Sequence, residues 1–190
     1  MPLPIETDRL ILRKFELRDV SIFAAYRSDP EVARFQGWEA PFSEQQAARF
    51  IRGMRRVQPG APGRWLQLAL QVKATGELAG DCAFNIHKDE PRQASIGLTL
   101  GRAFQGLGYG HEAMTRLLDY LFFELKLHRV HADCDVLNQA AFRSLEKLGL
   151  RREAHFVESL WFKGGWASEY WYAILDREWA ERRGEPMDPK

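Results

Sequence analysis

Three glycines within six residues, Gln105-Gly106-Leu107-Gly108-Tyr109-Gly110, separate an apolar run from a long amphipathic segment. A helix that starts at such a loop turns its unpaired N–H groups and the positive end of its dipole toward the glycines. Few side chains then stand between that backbone and a ligand. The pattern predicts a phosphate or pyrophosphate cradle at the junction of a strand and a helix. It is neither the dinucleotide array GxGxxG nor a Walker loop, because the spacing differs and no Lys-Ser or Lys-Thr follows.

The flanking patterns predict the surrounding elements. Residues 10–15 read as a strand, and Asp19 as the cap of a helix reaching about residue 27. Asp29-Pro30-Glu31 reads as a short helical turn, and Ser43 with Gln46 as the capping box of a helix through about residue 57. The Pro/Gly cluster at 58–63 ends it. Strands follow over 65–72 and 77–86 as a hairpin, and over 94–100 leading into the glycine loop. Ala113, Leu117, Leu118, Leu121 and Leu125 recur at helical spacing within 108–125. A strand over 129–134, a helix over 138–148 closed by Gly149, and strands over 152–162 and 166–175 joined at Lys163-Gly164-Gly165 complete the pattern. The predicted order is βααβββαβαββ, an α+β fold. Its expected core is a mixed, mostly antiparallel sheet of about seven strands with helices on both faces. A single domain over 1–181 and a polar tail over 182–190 are expected.

Charge limits the partners. Lys plus Arg number 27 against 26 Asp plus Glu, a net charge of +1, which gives no electrostatic reason to expect nucleic acid. No apolar run approaches membrane-spanning length, and the start, Met1-Pro2-Leu3-Pro4, lacks the pattern of a signal peptide. Cys82 and Cys134 are far apart and read as small core residues of a cytoplasmic protein. His128 and His131 lie at odd strand spacing, on opposite faces, so no metal site is expected.

Two segments together carry a family resemblance. Gln105, Gly108 and Gly110 match the Gln/Arg-x-x-Gly-x-Gly/Ala motif of the GCN5-related N-acetyltransferase (GNAT) superfamily. Asn138 through Leu150, with Leu145-Glu146-Lys147-Leu148-Gly149, resembles a segment of its ribosomal-protein N-terminal acetyltransferase branch, as do Arg9–Arg13 and the stretches 161–166 and 172–175. The resemblance implies acetyl-CoA as co-substrate, with the backbone of Gly106, Leu107, Gly108, Tyr109 and Gly110 around its pyrophosphate. It also implies that Leu98, Thr99 and Leu100 pair with the pantetheine arm, that Asn138 hydrogen-bonds that arm, and that Arg143 reaches the nucleotide end. A backbone N–H near Leu100 would polarise the thioester, and the acceptor amine would attack directly in a ternary complex. A homodimer is compatible with the resemblance.

The match breaks at the acceptor end. Leu145 stands where many members carry a tyrosine acid, Ala141 where the branch often carries serine, and Ser95 where it often carries a carboxylate. Local candidates replace them: Glu158 as base and Ser144 beside the thiol. Tyr170 and Tyr172 share one strand parity, and Phe35, Trp38 and Phe42 fall in the segment that by resemblance shapes the acceptor pocket. The expected reaction is acetylation of a primary amine, with a protein N-terminus as one acceptor. The alternatives are a small-molecule acetyltransferase acting on a polyamine, amino acid or aminoglycoside, and a non-catalytic acyl-CoA-binding protein.

Overall fold

Leu66, Leu68, Leu70 and Val72 are buried at alternate positions of one strand, so the pleat turns a continuous apolar row to one side. The same logic builds the whole sheet. A computed structural model describes residues 3–185. In chain order it contains β1 (Ile5–Glu6), β2 (Leu10–Arg13), α1 (Val20–Arg27), α2 (Pro30–Ala33), α3 (Glu44–Arg55), β3 (Trp65–Val72), β4 (Leu78–Ile86) and β5 (Gln93–Leu100). Then come α4 (Tyr109–Asp119), β6 (Arg129–Asp135), α5 (Gln139–Leu148), β7 (Arg151–Phe162), β8 (Gly165–Leu175) and α6 (Asp176–Arg183). The eight strands form one sheet in the order β1-β2-β3-β4-β5-β6-β8-β7.

Neighbouring strands are antiparallel except β5 and β6. That parallel pair is joined only at Gln93–Arg129, Ala94–Val130 and Ser95–His131. Beyond this last rung the strands part, which leaves a V-shaped opening through the sheet. One face carries the main core, where Ile96, Val130, Ala132 and Cys134 pack with Leu117, Leu118 and Leu148. The other carries a smaller core around Phe15, Phe23, Ala47 and Ile51.

Several local predictions hold. Ser43 and Gln46 form the capping box of α3, Asp29 caps α2 ahead of Pro30, and Gly149 closes α5 in the left-handed region at φ 96°. Such a cap contributes about 1 kcal/mol. Other expectations change. Asp19 precedes α1 without capping it. Its buried carboxylate accepts two bonds from Arg13, at 2.7 and 2.8 Å, and one from the Glu16 N–H at 2.8 Å.

The eighth strand, β1, has two residues and is too short for a periodic signal. The tail expected from residue 182 is still helical at its start. Arg182 donates to the Lys147 carbonyl at 2.7 Å and Arg183 to Asp119 at 3.0 Å, beside the buried Trp179. The charged sequence of α6 masks it, since Trp179 and Ala180 are its only apolar residues. The predicted tail beyond residue 185 lies outside the described residues. No helix among the described residues is long and apolar enough to cross a membrane.

Candidate active site

The glycine loop takes the geometry its composition allows. Gly106 and Gly108 adopt positive φ, 74° and 82°, and Gly108 is the N-cap of α4. A helix start leaves its first N–H groups without partners in the helix, so they are free for an anion. Gly110 serves packing instead: a Cβ there would meet Leu98 Cδ2 at 2.9 Å and Leu100 Cδ1 at 3.3 Å. The missing side chain lets α4 lie close on β5.

Arg9 holds the loop from outside. It donates to the Leu107 carbonyl at 3.0 Å and to Glu112 at 2.6 Å, and lies 4.6 Å above the Tyr109 ring. Glu112 also accepts from Thr7 Oγ1 at 2.5 Å and the Arg9 N–H at 2.8 Å. The carboxylate thus ties the helix start to the β1–β2 turn, and these donors hold its pKa down despite partial burial, which acts the other way.

A cleft of about 680 Å³ runs from this loop into the opening between β5 and β6. Of the residues expected to bind the donor, Leu98, Thr99, Leu100, Gln105, Gly106, Gly108, Gly110 and Asn138 line it, as does Ser144 on α5. Gln105 donates its side-chain amide to the Leu100 carbonyl at 3.0 Å. The Leu100 backbone therefore faces away from β4, and by strand alternation so do those of Leu98 and Ile96. This is an open strand edge, chemically suited to the amides of an extended pantetheine arm. Asn138 accepts the Ala141 N–H at 3.2 Å, which leaves its side-chain NH₂ as the donor for a ligand. His111 and Lys147 also line the cleft, and burial and then Lys147 lower the His111 pKa, which favours neutral imidazole. These features fit acetyl-CoA: an anion cradle at one end, an unpaired strand edge in the middle and a gap through the sheet at the other.

Other expected residues lie elsewhere. Leu107 and Tyr109 are outside the cleft lining, Leu107 facing solvent at 53% exposure. Arg143 is exposed on α5, and Lys147 is the basic residue of that helix at the cleft. Glu158, the expected base, is exposed in an irregular stretch of β7 at φ 47°, with its N–H donated to Ser168 Oγ at 2.9 Å. It does not line the cleft. Tyr172 is fully buried, donates to Glu146 at 2.7 Å and accepts from Arg152 at 2.9 Å. Burial and Glu146 push its phenol up to about 12. Tyr170 packs on Phe142, so neither tyrosine serves the cleft. Phe35 lines the cleft, whereas Trp38 and Phe42 enclose the buried Arg27 guanidinium, at 3.9 and 5.4 Å.

Two features escaped the sequence. Asp133 lines the cleft just past the last β5–β6 rung, and no other side chain among the described residues bonds to or neutralises its carboxylate. Water reaches it, yet the walls desolvate it and raise its pKa; Glu169 is raised by burial first and then by Asp133. The second feature is the rung itself, where Ser95 Oγ lies 3.0 Å from His87 Nε2 and 3.1 Å from His131 Nε2. The donor half of the cleft lies under α4 and α5. At the other end it is bordered by Glu31, Val32, Phe35 and Gln36.

A strand–glycine loop–helix cradle beside splayed parallel strands defines an acyl-CoA-binding transferase, and comparison with known proteins agrees. Residues 9–151 match the family model of the acetyltransferase (GNAT) domain. The chain is 34% identical over 174 residues to the N-acetyltransferase p20 of Bacillus licheniformis, covering 92% of this chain and 97% of that one. It is 25% identical over 187 residues to the ribosomal protein uS5-alanine N-acetyltransferase of Escherichia coli, covering 94% of each. Among solved structures, the GNAT-family acetyltransferase from Bacillus anthracis superposes with a TM-score of 0.80 at 31% identity, covering 92% of this chain and 99% of that one. The chain belongs to the GNAT acetyltransferase family and is an acyl-CoA-dependent N-acetyltransferase that uses acetyl-CoA as co-substrate.

Proposed function

We propose that the protein acetylates a protein or peptide N-terminal amine, with Asp133 receiving the acceptor ammonium. The observation that carries this reading is the Asp133 carboxylate, without a side-chain partner among the described residues, at the point where the cleft passes through the sheet. An ammonium entering past Phe35 would meet that charge before meeting the thioester. The available proton acceptors near it are a carboxylate and two imidazoles, all weaker bases than a lysine amine. They suit an α-amine, of pKa about 7.7–8.0, better than a side-chain amine near about 10.4. The Escherichia coli relative is named as acetylating an alanine of ribosomal protein uS5, a residue whose amine is an α-amine, which agrees with this choice.

On the donor side, the arm would run from the glycine loop along the β5 edge. Four residues of strand from Leu100 to Ile96 span about 13 Å. The thioester would therefore lie toward Ile96, and the N–H that polarises it would come from Leu98 and not from Leu100, since the last β5–β6 rung engages the Ile96 N–H. Ser144, with Ala141 and Leu145, would border the departing thiol.

A second reading rests on charge. Asp133, Asp135 and Glu169 project on the same face of β6 and β8, which also suits a polycation such as a polyamine. The deciding experiment is an acceptor screen that follows thiol release from acetyl-CoA. Peptides with a free α-amine should support release, and the same peptides with blocked N-termini should not. Turnover with polyamines alone would favour the second reading.

A further inference from the structure

The floor of the V carries chemistry that substrate binding alone does not require. His87 Nε2, Ser95 Oγ and His131 Nε2 form a triangle with sides of 3.0, 3.1 and 3.0 Å. They arrive from three places: His87 just after β4, Ser95 on β5 and His131 on β6, the last two forming the final rung before the strands part. We infer that this triangle is the proton exit of the acetyl transfer, taking one proton from the acceptor ammonium and delivering it to solvent through His87. The inference rests on the reading of Asp133 as the ammonium's partner.

The triangle has the properties of a proton-transfer site. A ring nitrogen either donates or accepts, and never both, so three contacts share at most two hydrogens when both imidazoles are neutral. Moving one proton through Ser95 Oγ, or directly between the Nε2 atoms, exchanges one arrangement for another. His131 Nδ1 is buried with no hydrogen-bond partner among the described residues, so no acceptor there locks the tautomer. The His131 ring is held in place by stacking on Trp171, at 5.4 Å and 8° between planes. His131 is 8% exposed, whereas His87 is half-buried and opens the path outward.

Electrostatics around the pair keep His131 neutral. Burial, His87 and Arg129 hold His131 down at about 4, against a smaller opposite pull from Glu153 on β7. Asp133 faces the same side from two residues along β6, and Ser95 and Trp171 add no charge from β5 and β8. A neutral imidazole has a lone pair to offer, and one that binds protons weakly passes them on. Asp133 and His131 lie on the same face of β6 with Cα atoms about 7 Å apart, so the proton would pass between their side chains along a short chain of water.

The balance of the reaction leaves one proton to be removed before attack. The ammonium nitrogen loses two protons as the N–C bond forms and the C–S bond breaks. One leaves through the triangle before attack. The other goes to the departing thiolate, so that the products are amide, free thiol and one proton in solvent.

The test is the pH dependence of saturated turnover on an N-terminal peptide, between about pH 6 and 10, a span that brackets the imidazole and α-amine values. His131→Gln and His87→Gln are compared with wild type, with acetyl-CoA affinity as the control for an intact fold. Wild type should hold its rate below the acceptor's own pKa. The variants should lose about tenfold at about pH 7 and on the order of 10²-fold at about pH 6, the inverse of the neutral-amine fraction. Their rates should then climb about tenfold per pH unit toward wild type, because only amine already neutral in solution reacts. Unchanged profiles in both variants, or a loss of equal size at every pH, overturn the relay. If wild type releases thiol with no amine, the functional reading falls and the relay falls with it. A normal neutral-pH rate in both variants with an active wild type removes the relay alone.

Discussion

Asp133 is reached by water and is nevertheless a weakened acid, because accessibility and solvation are different quantities at the floor of a cleft. The residue is exposed, but the surrounding walls replace much of the water that would stabilise the charge, and its pKa rises. An unpaired charge held this way gains most when a cation arrives, which is why it carries the acceptor assignment. Asp133→Asn should lower kcat/KM for an amine acceptor by about 10²- to 10⁴-fold. Direct titration should find acetyl-CoA affinity unchanged, since the donor cradle is at the other end. Glu158→Gln is the contrast: its side chain is outside the cleft, and turnover should stay at the wild-type level. An assay in which these two variants exchange behaviour would overturn the placement of the base. Neither residue could be separated from the other by sequence. Strand alternation gives two faces without saying which one meets the cleft, and the irregular register around 157–159 that diverts Glu158 has no glycine or proline to mark it.

The elements themselves were legible where local chemistry fixes them. The glycine loop, the Ser43–Gln46 box, Pro30 and Gly149 each specify a turn or an end through a few backbone bonds, and all stand where the sequence places them. Features that depend on distant partners were not legible. Asp19 looks like a cap until Arg13 claims it, and α6 looks like a tail until Trp179 packs. The β7 bulge at Glu153 is of the same kind. It interrupts the register between Arg152 and Ala154 and turns the Glu153 carboxylate onto Arg129 of β6 and Arg151, the latter at 2.6 Å. Those bonds, Arg129 first, hold Glu153 at about 2. A carboxylate with a depressed pKa stabilises the fold above its unfolded value of about 4.3, and the contribution is lost as pH falls toward 2. With the side chain 30% exposed, solvent screening reduces this to about 1 kcal/mol. Urea midpoints should therefore place Glu153→Gln below wild type at neutral pH, with the gap closing below about pH 4. A gap that stays constant down to the lowest pH would mean the bulge is held by something other than this ion pair.

At the scale of the whole molecule, the important property is that one cleft crosses the sheet. The parallel β5–β6 pair sits in an otherwise antiparallel sheet, and its three rungs hold one end shut while the other opens. A donor seated from the α4–α5 side and an acceptor entering past α2 can then occupy the gap together, meeting above the Ser95–His131 rung. Neither cysteine offers an intermediate carrier for the acetyl group. Cys82 is fully buried and its thiol is driven up by burial, and Cys134 is pushed up to about 11 for the same reason. Neither supplies a thiolate nucleophile at neutral pH. Transfer should therefore be direct. Initial rates at varied acetyl-CoA and several fixed acceptor concentrations should give reciprocal plots that intersect, as both substrates must be bound before any product leaves. Mass spectrometry after incubation with acetyl-CoA alone should find no acetylated cysteine, and alkylating reagents should leave the native enzyme active. Parallel lines together with a trapped acetyl-cysteine would require one thiol to become exposed during turnover. That would make the cleft a gate that opens onto the core instead of a passage through a fixed sheet.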